Sequence, residues 1–255
     1  MSGLRGCRPK VGFRYALGIL AMLPIFSSTA LAADFDAARR QMVAEIAADA
    51  ARAATWTGRE ALSPRVMAAM GKVERHRFVP AALAPQAYLN RPLPIGEGQT
   101  ISQPFIVALM SDLLDLSPGD KVLEVGTGSG YQAAVLAELG ARVFSIEILA
   151  GLSREADRAL RAAGYSGVLL RVGDGWAGWP EQAPFDAIVV TAAPETIPPP
   201  LVDQLRVGGR MVIPLGPQAA AQELVVAEKQ GDGSMVRRRV LPVAFVPFTG
   251  EGARR

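Results

Sequence analysis

Three glycines spaced at every second residue, Gly126, Gly128 and Gly130, follow an apolar run that carries one acid, Glu124. Glycines in such a run let the backbone approach a ligand closely, and the helix that follows presents free N–H groups to it. Ser129 sits among them, where its N–H or hydroxyl can reach a ligand. Glu124, just before the turn, is placed to accept hydrogen bonds from a ligand ammonium. A dinucleotide fingerprint needs glycine as the first, third and sixth residue. Here the sixth is Tyr131, so the spacing argues against NAD and for S-adenosylmethionine. Two further acids repeat the theme. Glu147 ends the apolar stretch 143–147, where a carboxylate can take both hydroxyls of a ribose. Asp174 lies in Gly173-Asp174-Gly175, in the same relative position after the next apolar run, and is expected to take the adenine amine.

These residues serve one ligand only if regular elements deliver them to one edge. Apolar periodicity predicts strand 121–125, helix 130–139, strand 142–146, helix 150–163, strand 168–172, strand 185–191, a segment around 197–206 and strand 210–215. That βαβα alternation implies a parallel sheet with helices on both faces. The stretches 222–229 and 236–246 are strand-like and flank Gly231-Asp232-Gly233, a hairpin signal, so an antiparallel edge is expected. Upstream, Met42, Val43, Ile46 and Ala50 suit a helix over about 34–54. Ser63 followed by Pro64 marks the start of a second helix that should stop at Gly71. Pro104–Leu116 reads as a helix, whereas proline-rich 79–100 reads as a long irregular loop, a kind usually tied to function.

Propensity does not account for residues 92–104 (PLPIGEGQTISQP). Together with 122–140 (VLEVGTGSGYQAAVLAELG), 173–193 (GDGWAGWPEQAPFDAIVVTAA) and 244–250 (AFVPFTG), the segment resembles the protein-L-isoaspartate O-methyltransferase family, with the motifs in family order over about residues 60–250. The resemblance implies an α/β, class I S-adenosylmethionine-dependent methyltransferase fold. This is Rossmann-like, with a mostly parallel sheet, an antiparallel C-terminal edge and a helical N-terminal extension. It implies methyl transfer to the free carboxylate of L-isoaspartyl residues in damaged proteins, whose ester then collapses to a succinimide. Ser102 corresponds to the family's active-site serine. The cofactor contacts fall on Ile101, Gln103, Gly126, Gly128, Ser129, Glu147, Asp174 and Gly175.

The inventory suits that chemistry. An ionised carboxylate and a sulfonium need no general base, and the sole histidine, His76, reads as structural. Ser102 would orient the acceptor carboxylate, and can also cap the helix that begins at Pro104. No metal is expected. Two other readings stay open: a methyltransferase of small molecules or RNA, and a secreted binding protein that kept the pocket and lost turnover.

The first residues set the expected address. Arg5, Arg8, Lys10 and Arg14 precede an apolar run over 15–26, interrupted by Pro24 and followed by a small-residue site ending at Ala32. That pattern is a secretory signal, too short to favour a membrane span. Residues 1–32 are therefore expected to be a signal peptide. Residues 33–255 would form a single domain: a helical and loop extension over 33–100 and the Rossmann-like core over 101–255. Cleavage would leave 23 Lys and Arg against 24 Asp and Glu, which argues against a nucleic-acid partner. The only cysteine, Cys7, leaves with the signal, which suits an oxidising compartment. A periplasmic or secreted monomer is expected, the alternatives being a cytoplasmic protein or one anchored in the inner membrane by an uncleaved leader. The resemblance implies a mostly cytosolic family, acting where the cofactor is made, so an export signal departs from the pattern.

Overall fold

The computed structural model describes residues 28–217 and 220–250. The predicted leader lies outside the described residues as far as position 27, and a helix begins at Ser28. Three helices come first among the described residues: α1 (Ser28–Arg52), α2 (Ala54–Thr57) and α3 (Pro64–Lys72). Ser63 caps α3 as its sequence predicts, its side chain accepting a hydrogen bond from Val66 N at 3.3 Å. Gly71 does not stop that helix, which runs on to Lys72. Then come β1 (Leu93–Gly96), β2 (Gln99–Ile101), α4 (Pro104–Leu113), β3 (Lys121–Val125), α5 (Tyr131–Glu138), β4 (Arg142–Glu147) and α6 (Ala150–Ala162). The chain continues through β5 (Leu169–Val172), β6 (Phe185–Val190), α7 (Pro199–Gln204), β7 (Leu205–Leu215), β8 (Gln222–Lys229) and β9 (Met235–Val243).

Seven strands form one sheet in the order β5-β4-β3-β6-β7-β8-β9, parallel from β5 to β7 and antiparallel from β7 to β9. The chain winds outward from β3 through β4 to β5, then returns to lay β6 on the other side of β3. Strand order reverses at β3 and β6, and the crevice beyond their carboxyl ends is where open α/β sheets bind ligands.

Period-2 alternation sorts each strand between two cores. Val122, Val143, Ala187, Val189 and Val212 face α1, α3, α4, α5 and α6. Leu123, Val125, Phe144, Ile146, Ile188 and Ile213 face α7 and the tryptophans Trp176 and Trp179. No described helix is long and apolar enough to cross a membrane.

Residues 79–100 differ from the irregular loop that their prolines predict. A 3-10 turn spans Ala81–Gln86, and β1 and β2 pair as an antiparallel hairpin with Gly96 opposite Gln99. The two-residue loop between them, Glu97 and Gly98, has φ of 48° and 72°. Positive φ at both central residues matches the right-handed strand twist, so this short hairpin closes despite its prolines.

Candidate active site

The register of the parallel strands brings one polar or glycine position after another to a single edge. Val125 pairs with Ile146 and with Val190, and Glu147 pairs with Val172. Gly126, Glu147, the Gly173–Gly175 turn and Thr191 therefore leave four neighbouring strands side by side. Gly126, Glu147, Gly175 and Thr191 line a cleft together with Gln99–Ser102 and Val246–Thr249.

The glycine turn is held by its own amides. Gly126 N donates to Ile146 O at 2.8 Å, and Gly128 N donates to Glu147 Oε2 at 2.8 Å. Leu149 N donates to Glu147 Oε1 at 3.0 Å. The Glu147 side chain thus links the turn to the start of α6 and still lines the cleft, with acceptor capacity left on both oxygens. Gly126 has φ +99°, and a Cβ there would collide with the Thr191 hydroxyl. That hydroxyl donates to Gly126 O at 2.6 Å. Ser129 Oγ accepts from Tyr131 N at 3.3 Å, completing the entry to α5.

Of the predicted residues, Ile101, Ser102, Gly126, Gly128, Ser129, Glu147 and Gly175 line the cleft. Four are placed otherwise. Glu124 is wholly buried and is not among the residues that line the cleft. Its position pairs with Ser145 across the β3–β4 ladder, and both side chains point under the turn instead of out of it. Ser145 Oγ donates to Glu124 Oε2 at 2.5 Å and lies 2.6 Å from Thr127 Oγ1, while Glu124 Oε1 has no partner. Burial pushes the Glu124 carboxyl up to about 8, against the Ser145 hydrogen bond and with help from nearby Glu147. Gly130 is the N-cap of α5, closed in by Leu160 and Ala156 rather than facing the cleft. Asp174 caps the 3-10 turn Gly175–Ala177, accepting from Trp176 N at 2.9 Å, and its carboxyl lies against Gly250. Gln103 caps α4 by position and borders a second groove outside the cleft.

Ser102 itself does not cap α4. Asn90 does that work, its Oδ1 accepting from Phe105 N at 3.1 Å. Among the described residues the Ser102 hydroxyl takes no partner, which leaves it available to a ligand. Its carbonyl is held by Arg75, whose Nη2 donates to Ser102 O at 2.8 Å and whose Nε donates to Ala87 O at 2.8 Å. Arg75 is completely buried, its guanidinium lies 4.8 Å from the centre of the Tyr131 ring, and Nη1 has no partner. Burial pulls its pKa down to about 10, so it is a cation at neutral pH. His76 lies outside the cleft, stacked on Phe35 and 2.8 Å from the Tyr88 hydroxyl. No cluster of three or more metal-ligating side chains occurs among the described residues.

Sequence reasoning missed Thr191, Arg75 and the Val246–Thr249 wall. Thr191 was within reach, because β6 ends at the same edge as β3. Arg75 had no signal beyond being a charged residue in a charged run, and the wall depends on the Ala193–Pro247 bridge, a tertiary contact.

The profile described as protein-L-isoaspartate(D-aspartate) O-methyltransferase matches residues 56–253. Protein-L-isoaspartate O-methyltransferase 1 of Cupriavidus necator is 59% identical over 213 residues, covering 84% of this chain and 82% of that one. Protein-L-isoaspartate O-methyltransferase 2 of a Polaromonas species is 59% identical over 210 residues, covering 82% of this chain and 100% of that one. A solved protein-L-isoaspartate O-methyltransferase superposes with a TM-score of 0.72 at 26% identity, over 83% of this chain and 66% of that chain. A Plasmodium falciparum chain solved with S-adenosyl-L-homocysteine shares the fold, with a TM-score of 0.64 at 23% identity over 73% of this chain and 91% of that chain. The architecture is that of class I S-adenosylmethionine-dependent methyltransferases, and the chain belongs to the protein-L-isoaspartate (D-aspartate) O-methyltransferase family.

Proposed function

We propose that this chain transfers a methyl group from S-adenosylmethionine to the side-chain carboxylate of L-isoaspartyl residues in polypeptides. The observation that carries the reading is one cleft with two unlike walls. One is the glycine turn with Glu147; the other is Thr100-Ile101-Ser102, backed by the buried cation of Arg75.

The cofactor wall fits its ligand. Glu147 offers acceptor capacity to ribose hydroxyls, Ile148, Leu149 and Phe248 offer apolar surface to a base, and the open turn admits the amino-acid end. S-adenosylmethionine supplies there a methyl group on a sulfonium, whose sulfur leaves as a neutral thioether. With it bound, an ionised acceptor oxygen would attack with its own electron pair, forming a C–O bond as the C–S bond breaks, with no proton to move. The protein therefore needs alignment and not a base, and alignment is worth up to about 7–11 kcal/mol in favourable cases. Ser102 donates to the acceptor carboxylate and aims it. Arg75 holds the Ser102 backbone in place and puts a positive charge behind it. A cation there favours an anionic acceptor over a neutral hydroxyl or amine.

The test is tritiated methyl transfer to an isoaspartyl peptide beside its aspartyl twin. Preferential labelling of the isoaspartyl form is expected; equal or absent labelling overturns the reading.

Residues 1–32 complete the proposal as an export leader, with residues 33–255 acting as one monomeric domain in the periplasm or outside the cell. The support is the cationic, apolar and small-residue order of the first 32 residues. Mass spectrometry of cell-purified protein should find a start just after Ala32, and an intact Met1 start would refute cleavage.

A further inference from the structure

A second groove lies on the Ser102 side of the cleft. Asp49, Arg52 and Trp56 of α1 and α2 form one wall; Gln103, Phe105, Leu241 and Pro242 contribute the other. Trp56 is 61% exposed, the most exposed large apolar side chain among the described residues. The groove is built in advance of any occupant. Asn90 Nδ2 donates to Asp49 Oδ2 at 2.5 Å while its Oδ1 takes Phe105 N, which ties α1 to the start of α4.

Two features say what covers it. Gln103 directly follows Ser102, and Leu241–Pro242 leads after three residues into Val246, which lines the cleft. Groove and cleft thus share the same two strips of chain. The acceptor is one residue of a polypeptide, so when its carboxylate meets Ser102 its neighbours must cross a rim of the cleft. This rim is continuous with Ser102 and carries an exposed indole, with the Arg52–Asp49 ion pair at its edge.

We propose that this groove seats the acceptor polypeptide beside its isoaspartyl residue, with Trp56 packing against an apolar flanking side chain. The proposal rests on the isoaspartyl reading above. It makes Trp56 a specificity residue that touches substrate and has no part in the chemistry.

The experiment compares two isoaspartyl peptides, one flanked by Leu and Phe and one by Gly and Ser, with the wild type, Trp56→Ala and Trp56→Phe. Covering a large apolar side chain supports a roughly tenfold effect. Trp56→Ala should raise KM for the apolar-flanked peptide about tenfold, with kcat within about twofold and KM for the Gly/Ser peptide unchanged. Trp56→Phe should recover most of the loss, and S-adenosylhomocysteine affinity should not move. Methylation of both peptides with the same KM ratio in wild type and Trp56→Ala overturns the groove alone. Methylation of neither by the wild type overturns the isoaspartyl reading as well. A dimer that Trp56→Ala dissolves would assign the groove to a second copy and so overturn the proposal.

Discussion

Ser102 and Glu147 line the same cleft from different parts of the chain, and their loss should be felt in different measurements. A hydrogen bond to a charged group is worth about 1.5–3 kcal/mol. Ser102→Ala should therefore lower kcat/KM for an isoaspartyl peptide roughly 10- to 150-fold, with calorimetric affinity for S-adenosylhomocysteine unchanged. Glu147→Ala should do the reverse, weakening that affinity at least about tenfold, because it removes the proposed ribose acceptor and frees Gly128 N and Leu149 N together. Glu124 has a pH signature. Its carboxyl ionises near 4.5 when exposed and near 8 when folded, so the folded state binds the extra proton between these values. The stability it confers is complete below about pH 4.5 and is lost as the pH rises through about 8. Melting temperature should fall over that window in the wild type, and Glu124→Gln should flatten the fall while keeping S-adenosylhomocysteine affinity. If Glu124 held a ligand ammonium, the substitution would cost that affinity. The place of Glu147 in the cleft was legible because it ends its strand, whereas the burial of Glu124 was not, because the glycine motif does not show which side chains the sheet covers.

At the scale of elements, the turn between β3 and α5 works only with glycine at its head. Positive φ in a residue that carries a Cβ costs about 1–3 kcal/mol. Gly126→Ala should lower both melting temperature and cofactor affinity. Adding Thr191→Ala should restore only part of the loss, since it relieves the collision and not the backbone strain. Full recovery in the double variant would assign the whole effect to Thr191. The strand–turn–helix unit was legible because apolar period and glycine spacing are local. The β1–β2 hairpin was not, because Glu-Gly is a weak loop signal and four nearby prolines mask two strands of three and four residues. The α4 cap was likewise hidden, since Asn90 reaches Phe105 across fifteen residues.

At the scale of the molecule, the cleft is assembled from positions between Gln99 and Thr249. A ligand that binds it stabilises the whole fold. At a hundredfold excess over Kd this amounts to about 2.7 kcal/mol, or roughly 5–10 °C for a domain of this size. S-adenosylhomocysteine should give that shift by calorimetry, and NAD should give none. The sheet's parallel order was legible from its alternating periods. The meeting of Ser102 with the glycine turn was not, because tertiary packing brings them together. The lining segment Val246–Thr249 is fixed by Ala193, which donates its N–H to Val246 O and accepts from Phe248 N. On a ribosome, that segment emerges only after the rest of the sheet has been made, so a growing chain has no finished cleft until Thr249 is out. A chain threaded unfolded across a membrane would reach the far side with its cleft undone, and would have to find its methyl donor there.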